Sequence, residues 1–162
     1  MVIFLLLAIL VGSTDERTLS SMSSADYFTA SSANQIATSA SGASSVFAID
    51  VDGDGDMDVL SASFSDNSVR WDESDGPRDF TARTIFDNAD GAFSVFAIDV
   101  DGDGDMDVLS ASYNDDSIRW YENDGSQGFT THDITVNAIG AFSVFAIDVD
   151  GDGDRDVLSA SY

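Results

Sequence analysis

Three copies of one acidic nonapeptide hold the residues of this chain best suited to chemistry. Asp-Val-Asp-Gly-Asp-Gly-Asp-Met-Asp occupies Asp50–Asp58 and recurs unchanged at Asp99–Asp107; at Asp148–Asp156 it returns with Arg155 in place of Met. Carboxylates stand at every second position. They are Asp50, Asp52, Asp54, Asp56 and Asp58 in the first copy, Asp99, Asp101, Asp103, Asp105 and Asp107 in the second, and Asp148, Asp150, Asp152, Asp154 and Asp156 in the third. Five carboxylates converging on one small volume repel one another, and a hard divalent cation relieves that repulsion better than water does. The expected chemistry is calcium binding, with up to three Ca²⁺ ions, one per loop. In each loop the side chains at positions 1, 3, 5 and 9 are candidate ligands, joined by the carbonyl of the Asp at position 7. Gly53 and Gly55, with their counterparts, let the loop curl through positive φ so that the oxygens face inward.

The loop is not an EF-hand. That motif needs a bidentate Glu at position 12 and a flanking helix on each side. Position 12 here is Ser61, Ser110 and Ser159, and the flanking sequences read as strands. Zinc is disfavoured because the chain has no Cys and a single His, His132. The missing cysteines also exclude disulfides.

Half of the 30 acidic residues lie in the three loops, and the formal net charge is −24. Repulsion of that size opposes association with nucleic acid or with an anionic membrane surface. Neither is expected as a partner.

The elements that position the loops repeat with the same period. The loops are 49 residues apart, and Ile36, Ile85 and Ile134 keep that spacing, as do Gly42, Gly91 and Gly140. The stretch Ser45–Ser63 is identical to Ser94–Ser112. Repeat 1 therefore covers residues 33–81, repeat 2 residues 82–130, and a shorter repeat 3 residues 131–162. Within repeat 2, four strands are expected: Ser94–Val100, Val108–Tyr113, Ser117–Glu122, and a run from Phe129 to about Val136. The first is almost wholly apolar and reads as a strand covered on both faces. No segment of the repeats has a helical apolar period. Four strands in such a unit match one blade of a β-propeller.

Residues 1–13 carry an apolar run, Met1–Val11, too short for the roughly 17–25 residues of a membrane span. It reads as a secretory signal peptide with cleavage after Ser13, although no Lys or Arg precedes it. Residues 14–32, rich in Ser and Ala, read as a linker.

The order of apolar strand, Asp loop, Val-Leu-Ser and Ile118-Arg-Trp-Tyr-Glu-Asn-Asp-Gly125 resembles the FG-GAP-like repeats, also called VCBS-type repeats, which are related to integrin α-subunit blades. The resemblance covers about residues 33–162. It implies an all-β fold of four-stranded blades from an incomplete β-propeller, about 2.7 blades where closed rings have about 4–8. It further implies a secreted or cell-surface module, with adhesion or ligand binding as its function and a protein or glycan as its partner. Two alternatives are a non-catalytic propeller portion of a polysaccharide-active enzyme and a structural repeat of a surface matrix. A literal Phe-Gly is missing; Gly91-Ala-Phe93 and Gly140-Ala-Phe142 stand in the corresponding places.

The blade count leads to the expectation that the chain is a piece of a longer propeller, with self-association as the alternative. No enzymatic activity is expected, because catalysis needs one unique constellation and these carboxylates occur three times in the same setting. Trp71, Trp120 and Tyr121 could offer a sugar platform, but their place in equivalent strands favours packing between blades. Arg70 and Arg119 are expected to offset nearby carboxylates, and Arg155 to weaken the third loop or to pair at its edge. His132 is assigned no role.

Overall fold

The computed structural model describes residues 36–37, 40–76 and 79–162. The expected signal peptide and linker lie outside these residues, as does the start of repeat 1. Ten strands are found: β1 (Ala43–Ile49), β2 (Asp58–Ser63), β3 (Ser68–Ser74), β4 (Phe80–Phe86), β5 (Ala92–Ile98), β6 (Asp107–Ser112), β7 (Ser117–Asn123), β8 (Phe129–Thr135), β9 (Ser143–Ile147) and β10 (Asp156–Ala160). They form antiparallel meanders in the order β1-β2-β3-β4 and β5-β6-β7-β8, with β9 and β10 paired in a third sheet. This is an all-β arrangement of propeller-type blades in an arc that does not close. The second blade repeats the first residue for residue. Phe47 pairs with Leu60 and Phe96 with Leu109, and both ladders slip between positions 43 and 45 or 92 and 94.

The first strands of successive blades lie side by side, β1 against β5 and β5 against β9. Two serines tie them across the blade boundary. Ser45 Oγ accepts the amide of Val95 and Ser94 Oγ accepts that of Val144, each at 3.3 Å. The phenyl rings of Phe47, Phe96 and Phe145 continue the row, with centroids 5.0 and 4.5 Å apart.

Apolar burial sits between the blades, since a four-stranded sheet cannot cover both of its own faces. Leu60, Ala62, Val69 and Trp71 of blade 1 pack with Ala92, Val95 and Ala97 of blade 2. Leu109, Ala111 and Ile118 of blade 2 pack in turn with Val144 and Ala146 of the third sheet.

Coverage of the first strand differs from the sequence expectation. β5 is only partly covered, with Val95 and Ala97 buried but Phe93, Phe96 and Ile98 open to varying degrees. The strands with every residue buried are β2 and β6, Asp-Val-Leu-Ser-Ala-Ser. These middle strands have a sheet neighbour on both sides and another blade over the face, so their small Ser and Ala side chains suit the close approach. The first strand lies at the edge of its own sheet, with a hydrogen-bonded neighbour on one side only.

The aromatic residues of the third strands serve packing, as expected for Trp71 and Tyr121. Trp71 is buried and meets Phe129 of the next blade edge-on at 6.2 Å. Tyr121 is buried against Phe86 of the preceding blade. Trp120 stacks on His132 of its own blade at 4.7 Å and also packs, partly buried, against the cluster shared with the third sheet.

Candidate metal sites

Each acidic loop joins the first and second strands of a blade, so its ends are fixed 49→58, 98→107 and 147→156 by direct strand pairs: Ile49 with Asp58, Ile98 with Asp107 and Ile147 with Asp156. Between these clamps the chain curls around its own carboxylates. In loop 1, Asp50 accepts the amides of Gly53 at 2.7 Å and Gly55 at 3.0 Å, one on each oxygen. Asp52 Oδ1 accepts from Asp54 N at 3.3 Å, and Asp54 Oδ1 from Asp56 N at 2.8 Å. Loop 2 repeats these bonds through Asp99, Asp101 and Asp103, and loop 3 through Asp148, Asp150 and Asp152. Gly53 and Gly55 have φ of 77° and 98°, the left-handed conformation the curl requires.

The closing Asp differs from the other four. Asp58 is fully buried; its Oδ2 accepts from Val51 N at 2.9 Å and its Oδ1 from Ser74 N at 2.8 Å. Asp107 holds Val100 N at 3.0 Å and Asn123 N at 2.8 Å in the same way. A single carboxylate thus ties the loop's start to the end of the third strand. Burial raises the pKa of both groups above the ordinary value of 3.8; the backbone bonds oppose that rise, and the nearby Asp52 or Asp101 charge adds to it. In the third loop Asp156 is exposed and holds Val149 N at 2.9 Å.

These constraints bring three carboxylates of each loop together. Asp50, Asp52 and Asp58 present oxygens within 4.8 Å of one another, as do Asp99, Asp101 and Asp107, and Asp148, Asp150 and Asp156. The expected ligand set is thereby divided. Positions 1, 3 and 9 converge in all three copies; Asp54, Asp103 and Asp152 are not members of these triads and accept the amide two residues on. Asp56, Asp105 and Asp154 were expected to contribute carbonyls, and their side chains likewise stand outside the triads.

The residues present suit a hard cation. Every donor is a carboxylate oxygen, and an oxygen that accepts one amide retains a further lone pair. Arg119 is paired with Asp115 and Asp133 and Arg83 with Glu73, none of which belongs to a triad. Arg119 thus offsets carboxylates as expected. Arg155 is exposed within the third loop.

Sequence reasoning missed two side chains that reach loop 1 from blade 2. Asn123 Nδ2 donates to the Val51 carbonyl at 3.3 Å, and Gln127 Nε2 to Asp52 at 3.4 Å. No local periodicity signals contacts between positions so far apart in the chain.

A family model described as FG-GAP-like repeat matches residues 50–110 and again residues 99–159. Each match begins at the first Asp of one loop and ends in the middle strand of the next blade. No curated protein matches the chain significantly.

Proposed function

The chain belongs to the FG-GAP-like repeat family, and from that premise we propose that it is a calcium-stabilised propeller module that binds a protein or glycan outside the cell or at its surface. The observation that carries the reading is the recurrence of one carboxylate triad at the same structural position in all three loops. A unique catalytic centre would not be copied in this way. Repetition suits an ion that holds each hairpin closed, and we assign the chain no catalytic role.

Calcium acts here on the balance between repulsion and burial. Without a cation, Asp58 and Asp107 are buried beside other carboxylates, and desolvation already disfavours their charged forms. A divalent ion would turn the same cluster into coordination, while the existing amide bonds keep the oxygens in place. Sites of extracellular modules commonly have Kd values of about 10⁻⁴–10⁻³ M, so an extracellular setting is the one that would keep them filled. At roughly tenfold excess over Kd each filled site contributes about 1.4 kcal/mol of stability. No helix among the described residues is long and apolar enough to cross a membrane.

The test is calcium titration of the full chain by calorimetry, paired with thermal melts in calcium and in EDTA. Saturable binding of two to three ions with a higher Tm in calcium is expected. A flat titration together with melts indifferent to EDTA would overturn the reading.

A further inference from the structure

At loop 1 a side chain of the following blade reaches a triad carboxylate. Gln127, in the turn between β7 and β8, donates Nε2 to Asp52 Oδ2 at 3.4 Å and to Glu73 Oε1 at 2.9 Å. Asp52 Oδ1 already accepts from Asp54 N. Both oxygens of this exposed carboxylate therefore have a donor. Asp101 and Asp150 have the equivalent amide bond on Oδ1.

The turn carrying Gln127 is held firmly. Asp124 Oδ1 accepts the amides of Ser126 and Gly128 at 2.8 and 3.0 Å, and Asp124 N donates to the Gly128 carbonyl at 3.0 Å. Asn123, at the base of the turn, bonds the Val51 carbonyl within loop 1 and the Met106 carbonyl of loop 2. Gln127 itself has φ of 67°, a left-handed backbone unusual for a residue with a side chain. On the far side Glu73 is buried and paired with Arg83. A continuous path thus runs from Arg83 and Glu73 of blade 1 through Gln127 of blade 2 to Asp52.

We propose that Gln127 is a positioning residue for a divalent cation at loop 1, so that this site is assembled by two blades. Outer hydrogen bonds that orient a ligand carboxylate tune metal affinity. The coupling is reciprocal: an ion on Asp50, Asp52 and Asp58 tightens the packing of blade 2 on blade 1, and that packing tightens the ion. The inference rests on the calcium reading above.

The experiment uses the full chain in two backgrounds with Ca²⁺ as the probe. In one, Asp99→Asn and Asp148→Asn silence loops 2 and 3; in the other, Asp50→Asn silences loop 1. Gln127→Gly is introduced into each. Glycine relieves the left-handed backbone but also removes the donor to buried Glu73, so the ion-free Tm is measured alongside and calcium affinity is compared only where the variant is folded. Calcium affinity at loop 1 is expected to fall about tenfold or more, within the range for such outer partners. Affinity in the loop 1-silenced background should not change. Equal affinity at loop 1 with and without Gln127, or an equal drop in both backgrounds, would overturn the positioning role and leave the calcium reading standing. Absence of calcium binding in the unaltered chain would remove the calcium reading itself, and the role of Gln127 with it.

Discussion

The hydroxyl of Tyr121 lies 3.0 Å from Ser110 Oγ, and both residues are fully buried in the centre of blade 2. Burial pushes the Tyr121 phenol up to about 12, so it stays neutral and serves as a hydrogen-bonding group. The equivalent pair in blade 1 is Asp72 and Ser61. There Ser61 Oγ finds no partner among the described residues, and Asp72 is a buried carboxyl. The two blades share a backbone but differ in how they satisfy their cores.

That difference predicts a pH signature. Burial raises the Asp72 pKa above 3.8, with the Arg70 charge opposing it. The folded state therefore holds this proton more tightly than the unfolded chain. Its contribution is fully favourable below about pH 3.8 and is lost as pH rises through the raised value. Asp72→Asn should accordingly stabilise the protein at pH 7 by about 1–2 kcal/mol, with the advantage vanishing in acid. Urea denaturation in EDTA at the two pH values measures it; a variant less stable than the parent at pH 7 would contradict the account.

Within a loop, the five carboxylates should not be interchangeable even without metal. Asp107→Ala leaves the amides of Val100 and Asn123 without their buried acceptor, which costs about 1–3 kcal/mol for each unmet group. Asp103→Ala removes one exposed bond to Asp105 N and should stay within about 0.5 kcal/mol. The measurement is chemical denaturation in EDTA. Equal stability of the two variants would mean that position 9 acts through the ion alone.

The ring row along the first strands gives a comparison of another kind. Phe96 lies between two rings, Phe47 and Phe145, whereas Phe145 is 45% exposed and has Phe96 as its one ring neighbour among the described residues. Phe96→Ala should cost about 2–4 kcal/mol and Phe145→Ala roughly 1–2 kcal/mol. Thermal melts of both variants decide the order.

Much of this was legible in the chain because the repeat fixes both period and loop. Strands expected at Ser94–Val100, Val108–Tyr113 and Ser117–Glu122 correspond to β5, β6 and β7 within two residues at each end. Coverage was not legible, since an apolar run such as Val95-Phe-Ala-Ile98 reads as interior whether it lies in the middle of a sheet or at its edge. Nor could the ordering of the carboxylates be read. Five Asp residues at alternate positions look alike until Asp58 is seen sealed beneath Ser74 N and Val51 N. Gln127 escaped notice because its partners, Asp52 and Glu73, belong to another blade, and only the packing of blades brings them together.

Glycines that look equivalent in sequence should also separate. Gly91 and Gly102 both have left-handed backbones, with φ of 69° and 83°. A Cβ on Gly102 meets nothing within 4 Å, so Gly102→Ala pays for conformation alone, about 1–2 kcal/mol. A Cβ on Gly91 would lie 2.8 Å from Asn114 Nδ2 and 3.0 Å from the Asn114 backbone nitrogen. Gly91 cannot retreat, because its amide donates to Asn67 Oδ1 at 3.0 Å and its carbonyl accepts Tyr113 N at 2.9 Å. Gly91→Ala should therefore add an overpacking cost of about 1–3 kcal/mol to the same strain. Calcium should invert the emphasis. Gly102 sits inside the loop with its amide 2.7 Å from Asp99, so the left-handed strain of Gly102→Ala falls on the segment that orients this carboxylate and should weaken ion binding, while Gly91→Ala, at the opposite end of β5, should leave it intact wherever the protein stays folded. Denaturation in EDTA gives the first ordering and calorimetric titration the second; a Gly91 variant that loses calcium while folded would break the separation between the two ends of the blade.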